Sequence, residues 1–184
     1  MKSALMADAN QSQLVIVDVQ TKLASVMPSD ISSLTKNCAI LLQAAELLDI
    51  PFLYTEQYPK GLGRTVSELS PYLSNKKAVE KTAFSCCDEQ SFKRHLSSDR
   101  GYIIVAGMEA HICVVQTALD LQAQGKTVFV VEDAIISRKP ENKLNALNRL
   151  RQAGIIVTNT ESVVFEWLKV AEGDAFKKIS QLVR

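Results

Sequence analysis

Residues 101–125, "GYIIVAGMEAHICVVQTALDLQAQG", decide the fold. The opening "GYIIVAG" is a short apolar run with β-branched residues, the composition of a strand buried on both faces. From His111 onward the apolar residues fall at helical spacing until Gly125, which can adopt the left-handed conformation that closes a helix. A strand passing directly into a helix is the repeating unit of a parallel sheet. Cys113 stands at the joint, two residues after His111, one of only two histidines in the chain.

The same alternation runs outward in both directions. Upstream lie "QLVIVDV" (13–19), an amphipathic stretch over 31–48, "PFLYT" (51–55), a short strand over 76–82 and a helix over 88–97. Downstream, "KTVFVVED" (126–133) precedes a helix over 140–154 that opens on Pro140 and closes on Gly154. "IIVTNT" (155–160), "ESVVFEWLKV" (161–170) and a last helix over 174–182 complete the pattern. The expectation is one α/β domain spanning 1–184, a three-layer α/β/α sandwich with a mostly parallel, Rossmann-like sheet of about six strands. Residues 1–12 read as a flexible lead-in. Residues 56–75, "EQYPKGLGRTVSELSPYLSN", carry two prolines and two glycines that interrupt any regular element, so this stretch reads as a long functional or mobile loop.

Bulk composition narrows the function. With 184 residues, 47% hydrophobic and 22% charged, the chain can bury a core. A net charge of +1 gives no electrostatic reason to expect nucleic acid or an acidic membrane as partner. No apolar run approaches the roughly 18 residues that a bilayer span needs. The opening "MKSALMADANQSQ" has no apolar core of a secretory signal, so a cytoplasmic protein with reduced cysteines is expected. The four cysteines and two histidines show no metal-ligand spacing, and neither a metal nor a cofactor is expected. Cys86 and Cys87 are adjacent and read as packing rather than as a redox pair.

In an open parallel sheet, ligands bind beyond the carboxyl ends of the strands. Asp18 closes the first strand, Lys81 the short third one, and Cys113 follows the central one. Singly, these could be a turn cap, a surface charge and a core residue; together they describe a site. At a helix start, free N–H groups and the dipole would favour the Cys113 thiolate and could hold an oxyanion. Asp18 could act as general base, with a lysine beside it stabilising negative charge. His111 is the rival base, but two residues from Cys113 its side chain is poorly placed to reach the sulfur.

The segments "VIVDVQ" (15–20), "EKTAFS" (80–85), "GMEAHICVVQTALDLQAQG" (107–125) and "VEDAIISR" (131–138), in this order, resemble the isochorismatase-like cysteine hydrolases. "YTEQYPKGLGRTV" (54–66) is similar to the branch described as isochorismatase-domain-containing proteins. The resemblance covers residues 13–168 and implies a catalytic triad of Asp18, Lys81 and Cys113. It implies a covalent intermediate on Cys113, oxyanion donors at the amides of Glu109 and Cys113, and a non-proline cis peptide at Met108–Glu109. Around a small-molecule pocket the expected residues are Gln20, Tyr58, Phe84 and His111, in a dimer or larger homo-oligomer. Where metal-dependent nicotinamidases of this family carry D-x-H, this chain has Glu56, Gln57 and Tyr58, so cofactor-independent amide hydrolysis is the favoured activity. Vinyl ether hydrolysis of the isochorismate type is the alternative; it would call on Lys60, Arg64, Arg138 or Lys139 to hold a dianion. A non-catalytic scaffold is the third reading.

Overall fold

A computed structural model describes residues 5–28, 31–73 and 76–184. Six strands form one parallel sheet: β1 (Ser12–Val17), β2 (Phe52–Gln57), β3 (Val79–Lys81), β4 (Tyr102–Met108), β5 (Thr127–Ile136) and β6 (Ile156–Thr158). Their order is β3-β2-β1-β4-β5-β6, and every pairing is parallel. Among the described residues the α-helices are α1 (Thr21–Ala24), α2 (Ile31–Leu47), α3 (Pro59–Leu62), α4 (Gln90–His95), α5 (Val115–Ala123), α6 (Pro140–Gln152), α7 (Thr160–Leu168) and α8 (Gly173–Leu182).

The period-two pleat of each strand divides the core in two. On β1, Leu14 and Ile16 enter one cluster with α2, α7 and α8, whereas Val15 and Val17 enter the other with α5 and α6. On β4, Ile104 and Ala106 face the first cluster, and Ile103 and Val105 the second. The two clusters on opposite faces are the physical meaning of the three-layer expectation. On α2 the apolar positions Leu34, Cys38, Leu41, Leu42 and Ala45 recur at helical spacing and supply its buried stripe.

The order reverses between β1 and β4, because β1 leads outward to β2 and β3 while β4 leads outward to β5 and β6. That reversal opens a crevice at the carboxyl ends of β1 and β4. The strands approach closely there. Gly107 has φ 118°, and a Cβ on it would lie 2.0 Å from the Val17 carbonyl oxygen, so only glycine fits.

Two expectations need correction. The lead-in over 1–12 is tied down from Ala7, which is buried and donates its N–H to Glu166 at 2.6 Å, and Ser12 already belongs to β1. Residues 1–4 lie outside the described residues. The 56–75 stretch is not a plain loop either: β2 continues to Gln57, α3 follows, and a 3-10 turn runs over Ser67–Tyr72. Local breakers suppressed the helical pattern in the sequence, but side chains elsewhere supply the hydrogen bonds that hold this strap.

Candidate active site

Three strand ends deliver three side chains to one point. Asp18 follows β1 with φ 49°, a left-handed conformation tolerated by aspartate, and is fully buried. Lys81 ends β3. Its ammonium lies 2.8 Å from Asp18 Oδ2 and 3.6 Å from Cys113 Sγ. It also donates to Gln57 Oε1 at 2.5 Å and to the carbonyls of Ala83 and Phe84, both at 3.1 Å. Cys113 itself is 6% exposed. The structure thus brings the three expected residues together.

The register of the edge strands explains how Lys81 is aimed. Gln57 pairs with Lys81 across β2 and β3, so both side chains share a face and meet. One residue back, Glu56 pairs with Glu80 on the opposite face, and Arg64 Nη1 bridges them at 2.8 and 2.6 Å. Glu56 also accepts from the N–H and hydroxyl of Thr65, both at 2.8 Å. These contacts buckle the strap down. Burial favours protonating Glu56, but the bonds from Arg64 and Thr65 prevail and hold its carboxyl below the ordinary glutamate value.

Cys113 lies in a π-type turn, Ala110–Val114, ahead of α5. The Met108–Glu109 peptide bond before it is cis. Glu109 O accepts from the N–H groups of Ile112 at 3.1 Å and Val114 at 3.2 Å, the latter an i→i+5 bond. The Glu109 carboxylate is nearly buried and accepts from Arg138 through its backbone N–H at 3.0 Å and its Nε at 3.1 and 3.2 Å.

Burial raises the Cys113 pKa, the negative charge of Asp18 adds to that, and the Lys81 ammonium only partly opposes it. These surroundings favour the thiol form of Cys113. For Lys81, burial opposes the charge, yet Asp18 and the neighbouring sulfurs outweigh it and keep the ammonium protonated.

The remaining sequence-derived residues divide. Gln20 is fully buried and its amide is consumed: Nε2 donates to the carbonyls of Gln57 at 3.0 Å and Gly63 at 2.7 Å, and Oε1 accepts from Gln57 N at 2.7 Å. These bonds pin the strap to the residues that follow β1. Tyr58 and Phe84 are 55% and 56% exposed. Tyr58 and Lys81 help line a small cavity of about 280 Å³ with Pro59, Lys60, Glu80, Thr82 and Glu89. His111 turns away from the sulfur: Nδ1 lies 3.0 Å from Ser137 Oγ and Nε2 lies 3.3 Å from Asn142 Nδ2. Asn142 Nδ2 can only donate, so with Nε2 accepting from it the ring proton belongs on Nδ1.

Thr55 and Gln57 escaped the sequence reading. Their signal was present, because the apolar run of β2 ends in three consecutive polar residues, Thr55, Glu56 and Gln57, all buried. Among the described residues, no group of three His, Cys, Asp or Glu side chains could hold a metal ion. None of the described helices is long and apolar enough to cross a membrane.

A profile of the isochorismatase domain matches residues 12–162, and the chain belongs to that family, whose members are generally hydrolases. It is 40% identical over 174 residues to isochorismatase domain-containing protein 2 of Danio rerio, covering 94% of this chain and 86% of that one. Among solved structures, the MAR1 ribonuclease of Caenorhabditis elegans superposes with a TM-score of 0.88 at 34% identity, covering 97% of this chain and 92% of that one. The YcaC gene product of Escherichia coli, described as an octameric hydrolase of unknown specificity, shares the fold with a TM-score of 0.89 at 23% identity, over 99% of this chain and 92% of that one.

Proposed function

We propose that this chain is a cofactor-independent cysteine hydrolase that cleaves a carbon–nitrogen bond in a small, neutral, amide-like molecule. The observation that carries the reading is the meeting of Asp18, Lys81 and Cys113 at the strand ends, with the ammonium 2.8 Å from the carboxylate and 3.6 Å from the sulfur. Buried charge in a crevice is costly for stability and is concentrated where chemistry requires it.

In the proposed reaction, Asp18 Oδ2 takes the thiol proton as Cys113 Sγ forms a bond to the amide carbon. The carbonyl oxygen becomes an oxyanion held by the amides of Glu109 and Cys113. Asp18 returns the proton to the leaving nitrogen, the carbon–nitrogen bond breaks, and a thioester remains on Cys113. Asp18 then takes a proton from water, which attacks the thioester carbon. The sulfur departs, recovers the proton and releases a carboxylic acid. Lys81 stays protonated throughout and balances whichever neighbour is negative.

The preference for a neutral substrate rests on the basic residues. Arg64 is bound by Glu56 and Glu80, and Arg138 by Glu109, so two of the four candidates for a dianion pocket are already neutralised. The ribonuclease name of the Caenorhabditis elegans relative makes RNA the polymer substrate to compare. A sulfur 6% exposed suits a small molecule better than a chain. Assembly into a homo-oligomer is part of the proposal and is read by light scattering. The deciding experiment is a screen of small amides for ammonia or amine release, with an aldehyde to trap Cys113. A mass shift on Cys113 together with amide turnover supports the reading. RNA cleavage that survives Cys113→Ala, without amide turnover, overturns it.

A further inference from the structure

The carboxylate of Asp18 has two oxygens in different circumstances. Oδ1 accepts a hydrogen bond from Thr55 Oγ1 at 2.7 Å. Oδ2, fully buried, has the Lys81 ammonium at 2.8 Å as an ion pair but no hydrogen-bond donor directed at it. The asymmetry originates in one hydroxyl. Thr55 Oγ1 carries a single proton and two lone pairs. The donors facing it are the Asp18 backbone N–H at 3.2 Å and the Cys86 thiol at 4.0 Å, and the acceptor facing it is Asp18 Oδ1. The hydroxyl proton therefore goes to Oδ1, and its direction is fixed by the groups around it.

We propose that Thr55 is the positioning residue of the general base: it ties down Oδ1, fixes the carboxylate plane and leaves Oδ2 as the basic oxygen toward Cys113. The proposal rests on the cysteine-hydrolase reading and adds a residue that touches neither substrate nor sulfur. It also explains why Thr55, 1% exposed, is polar in a strand whose alternate residue Leu53 packs in the core on the same face. The next residue on that face, Gln57, orients the ammonium, so β2 aims both partners of the Asp18–Lys81 pair. A hydrogen bond to a carboxylate favours its charged form. Losing the hydroxyl frees the carboxylate to turn about its Cβ–Cγ bond, so Oδ2 is no longer held in place for the thiol proton and activation of Cys113 slows.

The test is the rate of Cys113 alkylation by iodoacetamide across pH, read by peptide mass spectrometry in the wild type, Thr55→Val, Thr55→Ser and Asp18→Asn. Thr55→Val keeps the β-branched shape of the side chain, and matched circular dichroism verifies the fold. The expected result is alkylation about tenfold slower than in the wild type, the scale of a lost bond to a charged acceptor. Thr55→Ser, which restores the hydroxyl, should recover the wild-type profile. A purely structural role would lower the thermal midpoint without slowing alkylation of the folded protein. A wild-type profile in Thr55→Val alongside an impaired Asp18→Asn overturns the positioning role alone. Unchanged alkylation in Asp18→Asn overturns the base assignment, and the positioning role falls with it.

Discussion

At the amino end of the sheet, the segment before β1 is latched to α7. Ala7 N–H donates to Glu166, and Lys169 Nζ lies 2.8 Å from Asp8 Oδ2, with these side chains 34% and 24% exposed. A cleft of about 700 Å³ opens there, lined among others by Met6, Tyr102 and Phe165. At the carboxyl end, the Asp18–Lys81 pair is also 2.8 Å apart, but both side chains are fully buried and a thiol adjoins them. The larger opening holds solvated, mutually paired charges. The carboxyl-end pair has both charges taken out of water, where every Coulomb interaction is stronger and desolvation is uncompensated by solvent. Two ion pairs of equal length thus differ in burial and so in energetic consequence.

The cysteines repeat the contrast. Burial pushes Cys38 up to about 12, helped by Asp133, and pushes Cys86 up to about 12, helped by Asp18. Cys113 is raised as well. A raised thiol alone identifies nothing. What separates Cys113 from Cys38 is an ammonium at 3.6 Å that is itself paired with the Asp18 carboxylate.

The sharpest way to break the comparison is to remove reactive groups from one end and ordinary ones from the other. Cys113→Ala should abolish covalent trapping, and Asp18→Asn should slow turnover by roughly 100-fold or more. Asp8→Asn should leave both unchanged. Mass spectrometry of the trapped protein and initial rates on the amide found by screening provide the readouts. Loss of activity in Asp8→Asn equal to that in Asp18→Asn would erase the distinction between the two ends.

Stability should separate them next. Lys81→Met leaves a buried carboxylate without its counter-charge and should cost about 3–5 kcal/mol. Lys169→Met breaks a partly exposed pair and should cost less than about 1 kcal/mol. Urea unfolding followed by circular dichroism measures both. Equal midpoints for the two variants would show that the carboxyl-end pair contributes no more than a surface one.

Much of this contrast was legible in the chain. Alternating apolar runs and amphipathic segments gave the strand and helix sequence, and strand-end position picked out Asp18, Lys81 and Cys113. Their convergence depends on strand order and register, which periodicity does not encode. The Gln57–Lys81 and Glu56–Glu80 pairings follow from the β2–β3 register, and the strap over 58–66 is held by Gln20 and Glu56, side chains distant from its own breakers. The Cys113 thiol depends on tertiary structure in the same way: a helix start favours the thiolate, burial pushes the thiol pKa up, and burial is a tertiary property that periodicity does not encode.

The strap supplies a pH-dependent test confined to the carboxyl end. Glu56 has a folded pKa below its ordinary value of about 4.3. Its ionised form therefore stabilises the fold fully above that value, and the contribution is lost as pH falls through the depressed folded pKa. Amide exchange over residues 58–66 should accelerate as pH drops below about 4, once corrected for intrinsic exchange. Glu56→Gln should flatten that dependence, while the amino-end segment around Ala7 keeps its own profile. Identical pH responses in wild type and Glu56→Gln would remove Glu56 as the buckle.

The smallest expected effect concerns His111, close to Cys113 in sequence yet turned away from it. Both ring nitrogens are engaged, Nδ1 with Ser137 and Nε2 with Asn142, so the ring ties the π-type turn to the end of β5 and the start of α6. A ring occupied in that way has no nitrogen directed at the sulfur and no proton to exchange with it. His111→Asn retains hydrogen-bonding capacity at that junction, whereas His111→Ala removes it. Turnover should therefore fall by only a few-fold in His111→Asn and somewhat more in His111→Ala, well short of the roughly 100-fold loss that removing a general base produces. Cys113 alkylation should keep its wild-type rate, because in the proposed reaction the thiol proton goes to Asp18. If His111→Asn slowed alkylation while Asp18→Asn left it unchanged, the proton would be passing through the imidazole, and Asp18 would be an orienting carboxylate behind a cysteine–histidine pair.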